Sequence, residues 1–357
     1  MFRNKTKQAL RDVIESHGED GAYRIVTEAL ASGKLHPEDF SIREIWEATT
    51  NGASVHEAVA SSAFPKITGA LINAKIIAAY DAVAKIGDQL VTTVPSNMQI
   101  ETIAGFTEAE TPEEVGEGQD YPSSTIAEKY VTIQNKKFGR MIDVTEETIY
   151  FDKTGQILQR ATRIGQKAAQ YKEQLIVEGI QDINTNVYNP SGIPTALYST
   201  GNGNLKTNNP FGEAGLEEMM KLAQLMKDDS LGKGNDDYIY IDPNNLVVVV
   251  PIDLLVETWQ LANSAKVPES AENAENFWKG RFTPLSSPYV TQRSTTTWYW
   301  GNFKEDFWWT EVWPLQTIAQ APGHDDEFKK DIKARTKTRF FGNVGAVSYQ
   351  HSFKSTA

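Results

Sequence analysis

Between Lys85 and Lys129 the chain runs for 43 residues without a lysine or an arginine, yet carries nine acids: Asp88, Glu101, Glu108, Glu110, Glu113, Glu114, Glu117, Asp120 and Glu128. Pro95, Pro112 and Pro122 interrupt it. So acidic a segment has too little apolar surface to offset the entropy of ordering it, so an isolated subunit is expected to leave it mobile. Its flanks are strand-like all the same. "LVTTV" and "MQIETIAGF" lead in, and "KYVTIQ", with Val131 and Ile133 alternating, leads out. The stretch reads as a long β-hairpin with an acidic tip, which has little core of its own and must lie against another surface.

The pattern on either side is mixed. Before about Asn51, "TKQALRDVIESH" and "GAYRIVTEALASG" space apolar residues three or four apart, predicting helices, with Gly33 ending the second. Arg3, Lys5, Lys7 and Arg11 precede any acid and form a basic arm. After the hairpin, "FGRMIDVTEETI" puts Phe138, Arg140, Ile142 and Val144 on one strand face. The period then changes. From Thr154 to Ile180 the residues Ile157, Ala161, Ile164, Ala168, Leu175 and Gly179 recur at helical spacing, predicting a helix of about 40 Å capped by Asp152 or Thr154. Tyr188 to Pro210 is a loop by composition. "EAGLEEMMKLAQLMKDD" and "IDLLVETWQLANSA" read as helices around two buried strands, "DDYIYID" and "NNLVVVVP", and the chain beyond Pro284 as strands with turns at Gly301, Pro314 and Gly323.

Chemistry is sparse. With no cysteine among 357 residues, disulfides, thiolate metal sites and cysteine nucleophiles are excluded. A net charge of -12 argues against a protein whose main task is gripping phosphate backbones. No run of 18 apolar residues and no apolar signal region occur, so a soluble intracellular product without membrane partners is expected. The five histidines, His17, His36, His56, His324 and His351, form no zinc-binding pair. "GNGNLKT" and "GKGNDD" lack the Gly-Lys-Ser/Thr ending of a phosphate loop, and "GHDDEF" is explained by a turn as well as by weak cation binding. No catalytic, cofactor or metal residue stands out, and an enzyme is not expected.

Two periodic features remain. "KKDIKARTKTRFF" places Lys333, Arg335, Lys337 and Arg339 on one strand face about 7 Å apart, where like charges repel unless an acidic surface answers them. The acidic hairpin of another copy, with Glu108, Glu110, Glu113, Glu114 and Glu117, is such a surface. "TTTWYWGNFKEDFWWTEVW" holds five of eight tryptophans. Trp298 and Trp300 share one face, "KED" turns, and Phe307, Trp309, Glu311 and Trp313 alternate onward, with Trp308 opposite. This predicts a hairpin with an aromatic face formed by Trp298, Trp300, Trp309 and Trp313, serving as core or subunit contact. A carbohydrate-binding or hydrolytic protein using the Trp298–Trp313 cluster is the rival reading from another class.

In this order, the elements resemble the tailed-phage major capsid proteins of the Hong Kong 97-like fold. The residues "KYVTIQNKKFGRMIDVTEETIYFDKTGQILQRATRIGQKAAQYKEQLIVEGI" are similar to that family's hairpin exit, strand and spine helix. "YIYIDPNNLVVVVPIDLLVETWQ" resembles its axial strand and helix, and "DEFKKDIKARTKTRFFGNVGAVSYQHSF" its long peripheral strand with the return to the axial domain. The resemblance implies an α+β fold: an N-terminal helical arm over 1–60, a connecting helix and peripheral start over 61–90, and an extended loop over 91–129. A peripheral domain over 130–210 would hold the spine helix at 154–180, followed by an axial domain over 211–320, the long peripheral strand at 321–342 and the axial return at 343–357. It implies hexamers and pentamers closing an icosahedral shell around double-stranded DNA, held without sequence specificity, in a virion assembled in the bacterial cytoplasm. Portal and a separate scaffolding or decoration protein are implied partners, and Arg3, Lys5, Lys7 and Arg11 a possible inner-surface arm. Some members cross-link through a lysine, but none occurs here from Asp88 to Glu128. An encapsulin-like compartment is the alternative within the fold.

Overall fold

The computed structural model describes residues 3–37, 41–50, 63–106, 114–117, 119–121, 128–151, 155–184, 187–227, 238–239, 241–242, 246–267, 274–320 and 331–357. In chain order the elements are α1 (Arg3–Ala31), α2 (Ile42–Thr49), α3 (Ala63–Asp81), α4 (Gly87–Leu90), β1 (Thr92–Pro95), β2 (Ile100–Phe106), β3 (Glu128–Gln134), β4 (Lys136–Thr145), α5 (Glu146–Phe151) and α6 (Gln156–Ile180). They continue with β5 (Leu205–Thr207), α7 (Glu213–Gln224), β6 (Leu246–Val250), α8 (Ile252–Asn263), β7 (Phe282–Ser286), α9 (Pro288–Thr291), β8 (Trp298–Gly301), α10 (Phe303–Asp306), β9 (Phe307–Ala319), β10 (Ile332–Ala346) and β11 (Ser352–Thr356). Two compact units result. One gathers residues 1–84, 137–172 and 313–341, the other 85–136, 173–312 and 342–357, so the division falls inside α6, β9 and β10.

In the first unit, local signals place the helices. Gly18, with φ 71°, kinks α1 between its two amphipathic halves, and Gly33 in the same region ends it. A capping box opens α2: Glu44 N–H donates to Ser41 Oγ while Ser41 N–H donates to the Glu44 carboxylate, both at 3.1 Å. The stripe Ile157, Leu158 and Ala161 of α6 packs with Ile142 and Val144 of β4, Ala334 of β10 and the buried faces of α2 and α3. At 25 residues, α6 extends for about 37 Å.

In the second unit a five-stranded mixed sheet has the order β5-β11-β8-β6-β7. Pairing is parallel at β11–β5 and β6–β7 and antiparallel at β11–β8 and β6–β8. Val248, Val250, Trp298, Trp300 and Phe353 form a core with Leu216 and Met219 of α7 and Leu261 of α8. The hairpin stands as a separate antiparallel pair, β2–β3, registered from Ile100 opposite Gln134 to Phe106 opposite Glu128. A four-stranded sheet has the order β1-β9-β10-β4.

Four sequence expectations need correction. "LVTTV" does not extend the hairpin: β1 pairs in parallel with β9, from Thr92 opposite Trp308 to Pro95 opposite Glu311. Nor do the tryptophans form a hairpin. Trp298 and Trp300 lie in β8 of the five-stranded sheet, whereas Trp309 and Trp313 lie in β9 of the other, with α10 between them. Alternation tells which face a side chain takes but not which strand its backbone pairs with. Gly301 passes so close to the His351 carbonyl that no side chain fits, which marks a seam with β11 rather than a turn. Pro314 sits inside β9, beyond the last residue paired to β1, and so does not mark a turn. In "YIYID", Tyr238 makes one isolated bridge to Lys227 and is exposed, Ile239 N–H donates to the Met226 carbonyl, and Tyr240 lies outside the described residues.

Candidate assembly surfaces

The hairpin is rooted by polar side chains that its sequence did not single out. Asn135 is buried, donates to the Met98 carbonyl at 2.8 Å and to Ser96 Oγ at 3.3 Å, and accepts from Thr310 Oγ1 at 2.5 Å. Asn343 Nδ2 donates to the Gln134 carbonyl at 2.9 Å. Upstream, the Glu173 carboxylate accepts from Gly87 N–H at 2.9 Å at the start of α4, and burial raises its pKa above the ordinary carboxylate range. These groups fix where the hairpin leaves the body. Sequence gave little warning, because a lone Asn or Glu carries no period.

Of the acids assigned to the tip, Glu114 and Glu117 are exposed, while Glu108, Glu110 and Glu113 lie outside the described residues. The cation row falls where period two put it: Lys333, Arg335, Lys337 and Arg339 alternate along β10 with the buried Ala334, Thr336 and Thr338. It is, however, largely answered within the chain. Arg335 donates to both carboxylate oxygens of Asp143 on β4, at 2.6 and 3.4 Å, and Lys333 Nζ lies 3.5 Å from Glu146. The Arg339 guanidinium lies 4.4 Å from the centre of the Trp313 ring, and that ring packs edge-on against Phe341. Lys337 is the member left exposed. The row is therefore a braced strand face with one open cation, since the neighbouring strand β4 and the start of α5 supply acids that a single-strand reading does not see.

The basic arm begins α1. Arg11 lies 3.5 Å from Glu15 one turn on; the side chains of Arg3, Lys5 and Lys7 lie outside the described residues. The tryptophans divide. Trp298, Trp300 and Trp309 are fully buried, which removes them as a stacking platform for sugars, and Trp313 is half-buried.

One buried polar cluster deserves chemical scrutiny. Lys354 Nζ lies 5.7 and 5.8 Å from the ring centres of Tyr198 and Tyr299. Burial pushes Lys354 below the usual lysine value and Asp182, which accepts from Leu197 N–H at 2.8 Å, above the usual carboxylate value. Burial also raises both tyrosines. The groups brace β11 against β8, with no nucleophile and base in contact. Among the described residues no cluster could hold a metal ion, and no helix is long and apolar enough to cross a membrane.

A surface that sequence reasoning passed over is α8. Ile252, Val256 and Trp259 are exposed at 55%, 67% and 58%, on the side opposite the buried Thr258, Leu261 and Ala262. The available signal was a helix apolar on both sides, where a core-facing helix needs one stripe.

A family model described as phage capsid protein matches residues 128–351. No curated protein matches the chain. Among solved structures, the capsid of cyanophage P-SCSP1u is similar over 77% of this chain and 88% of its own, with TM-score 0.52 at 12% identity. The capsid of a native GTA particle is similar over 77% and 91%, with TM-score 0.51 at 10% identity. At such identities the likeness concerns the fold, an α+β capsid fold of the Hong Kong 97 type. The hairpin's exit strand β3, the long helix α6 and the strands from β4 to β10 fall within the matched span, and the chain belongs to the phage capsid protein family, as a structural major capsid protein of an icosahedral shell.

Proposed function

We propose that the chain forms hexamers and pentamers that close around double-stranded DNA in the bacterial cytoplasm, with portal and a separate scaffolding or decoration protein as partners and no catalytic step. The observation that carries this reading is the β2–β3 hairpin, a two-stranded element rooted by Asn135 whose connecting segment carries six acids and no lysine or arginine. In this reading 91–129 is the extended loop, 1–60 the arm, 61–90 the connection, 130–210 the peripheral domain, 211–320 the axial domain, 321–342 the peripheral strand and 343–357 the axial return. The acidic tip of one copy lies over the outward face of β10 of the next, where Lys337 is the open cation and Lys333, Arg335 and Arg339 add a field partly neutralised by Asp143 and Glu146. Each exposed pair contributes roughly 0–1 kcal/mol, so stability comes from repetition over many copies. A net charge of -12 suits a container whose lining must release its DNA.

Light scattering and negative-stain imaging of the purified chain test the reading. Capsomers of five and six subunits or closed shells containing nuclease-protected DNA support it; a strict monomer under all assembly conditions overturns it. Lys337→Glu should weaken assembly and Glu114→Lys with Glu117→Lys should partly restore it; normal assembly by Lys337→Glu would refute the hairpin docking alone.

A further inference from the structure

We propose that the solvent face of α6, with Arg160, Arg163 and Lys167 along it, is the surface on which the subunit meets duplex DNA, through phosphates and without reading sequence. This deepens the shell reading, on which it rests for the source of the DNA, by naming the side of the subunit that the duplex touches. From Gly155 to Lys172 the chain has no acid, although 47 of its 357 residues are aspartate or glutamate. At about 100° and 1.5 Å per residue, Arg160, Arg163 and Lys167 fall within about 60° of arc and about 10 Å of helix axis. All three are exposed, and exposed Gln156, Gln159 and Gln170 fill out the same face with amides that can donate to phosphate oxygens. The side chains of Arg160 and Arg163 make no hydrogen bond or ion pair among the described residues. Lys167 Nζ donates to Gln170 Oε1 at 2.9 Å, an amide that leaves the charge standing. Asp143 lines one hollow with Arg160 and Arg163, but both its oxygens accept from Arg335.

Packing sets the direction of this face. Ile157, Leu158 and Ala161 share a core with Ile142 and Val144 of β4 and Ala334 of β10, and the Tyr171 ring lies 5.2 Å from Phe138, which packs in turn against Phe340. Alternation puts these strand residues on one face of β4 and β10, and Asp143, Lys333, Arg335, Lys337 and Arg339 on the other. The α6 cations and the β10 row therefore look out of opposite sides of this layer. An acidic hairpin lying over β10 cannot also cover α6, so the second basic face needs a second polyanion. A line of cations among neutral amides, with no acid in the run, fits a phosphate backbone, which presents charge at every step and asks for no particular side chain in return. Three phosphate contacts per copy give a slope of log K against log salt of about −2.7, so affinity falls about 40-fold from 50 to 200 mM salt. So weak a hold on each copy is compatible with a shell that must release its DNA.

Full-length subunits, kept disassembled, are titrated into a fluorescein-labelled duplex of arbitrary sequence and followed by anisotropy. Wild-type binding should fall about 40-fold between 50 and 200 mM salt and be the same for a shuffled duplex. Arg160→Gln with Arg163→Gln and Lys167→Gln should abolish this salt-dependent binding and leave the unfolding midpoint unchanged, because all three side chains face water. Lys337→Gln, on the other side of the layer, should bind as wild type does. Loss of binding in Lys5→Gln with Lys7→Gln, but not in the α6 variant, assigns the contact to the basic arm and overturns the proposal. Preferential displacement of the duplex by a single-stranded RNA of equal length overturns the choice of occupant. Light scattering of the same proteins reads assembly separately. An α6 variant that binds the duplex like wild type but no longer assembles shows that the face meets another copy, and overturns the proposal with the shell reading intact. Wild-type subunits that assemble yet show no salt-dependent binding overturn the proposal alone, and subunits that bind through α6 but never assemble overturn the shell reading alone.

Discussion

Replacing Gly165 by alanine sets two effects of opposite sign against each other at the crossing of α6 and α3. In a free helix the change stabilises by about 1 kcal/mol, since alanine restricts the unfolded chain and shields the backbone. Here the new methyl would press on the Ile76 carbonyl oxygen and stand 3.0 Å from Ala79 Cβ and 3.1 Å from the Ile76 carbonyl carbon. That carbonyl belongs to the backbone of α3 and cannot swing aside as a side chain can. Ordinary contact, near 3.5 Å, therefore requires the helices to part by about 1 Å. Overpacking of this kind costs about 1–3 kcal/mol. Less the propensity gain, the net loss is up to about 2 kcal/mol, or a melting point lower by up to about 3 °C for a chain of 357 residues. Urea unfolding of disassembled subunits, followed by far-UV circular dichroism, would measure it, with Gln166→Ala on the exposed side of α6 as the control expected to be near neutral. A Gly165→Ala subunit more stable than wild type would show that α6 and α3 do not meet as closely as described.

Three other expectations concern side chains. Lys354→Met tests the buried amine: burial lowers Lys354 below its ordinary 10.5, so the folded chain loses that proton before the unfolded one does, and wild-type stability relative to the variant should rise as pH climbs towards 10.5. A pH-independent difference in melting temperature would rule this out. A double-mutant cycle on Arg335→Leu and Asp143→Ala should give a coupling of about 0.5–1 kcal/mol, modest because Asp143 is 42% exposed; zero coupling by urea titration would mean that the pair does not brace β10. Trp309→Ala should cost about 3–5 kcal/mol, read from the same titration, and leave oligosaccharide binding absent in both proteins; saturable, Trp309-dependent quenching by a sugar would contradict its core role.

What could be read from the sequence was what period and local chemistry report. The α6 stripe, the alternation of β10, the Val131/Ile133 strand and the two halves of α1 on either side of Gly18 all express one-dimensional spacing, and they appear where spacing puts them. Partner choice does not leave such a trace. Trp300 and Trp309 look like two arms of a hairpin until the backbone pairs one with Phe353 and Val248 and the other with Thr93. The same gap hid Asp143 and Glu146 as counter-charges of Arg335 and Lys333, nearly two hundred residues away in sequence. The α8 stripe was visible in principle, since Ile252, Val256 and Trp259 exceed what a one-sided helix needs. It was missed because apolar residues were assigned to a core by default.

The strand order of the second unit also sets a timetable. β11, at Ser352–Thr356, lies between β5 and β8 in the middle of its sheet, with Phe353 wholly buried. The first unit likewise waits for residues 313–341 to join its opening helices. A ribosome adding about 5–20 residues per second leaves roughly 7–30 s between the emergence of β5 and that of β11. Through that interval the slot for β11 stands open and neither unit can close, so nascent chains side by side on one messenger hold no finished surface to offer each other. Subunit association is thereby deferred until translation has passed residue 356, and the fold itself keeps synthesis and shell building apart in time.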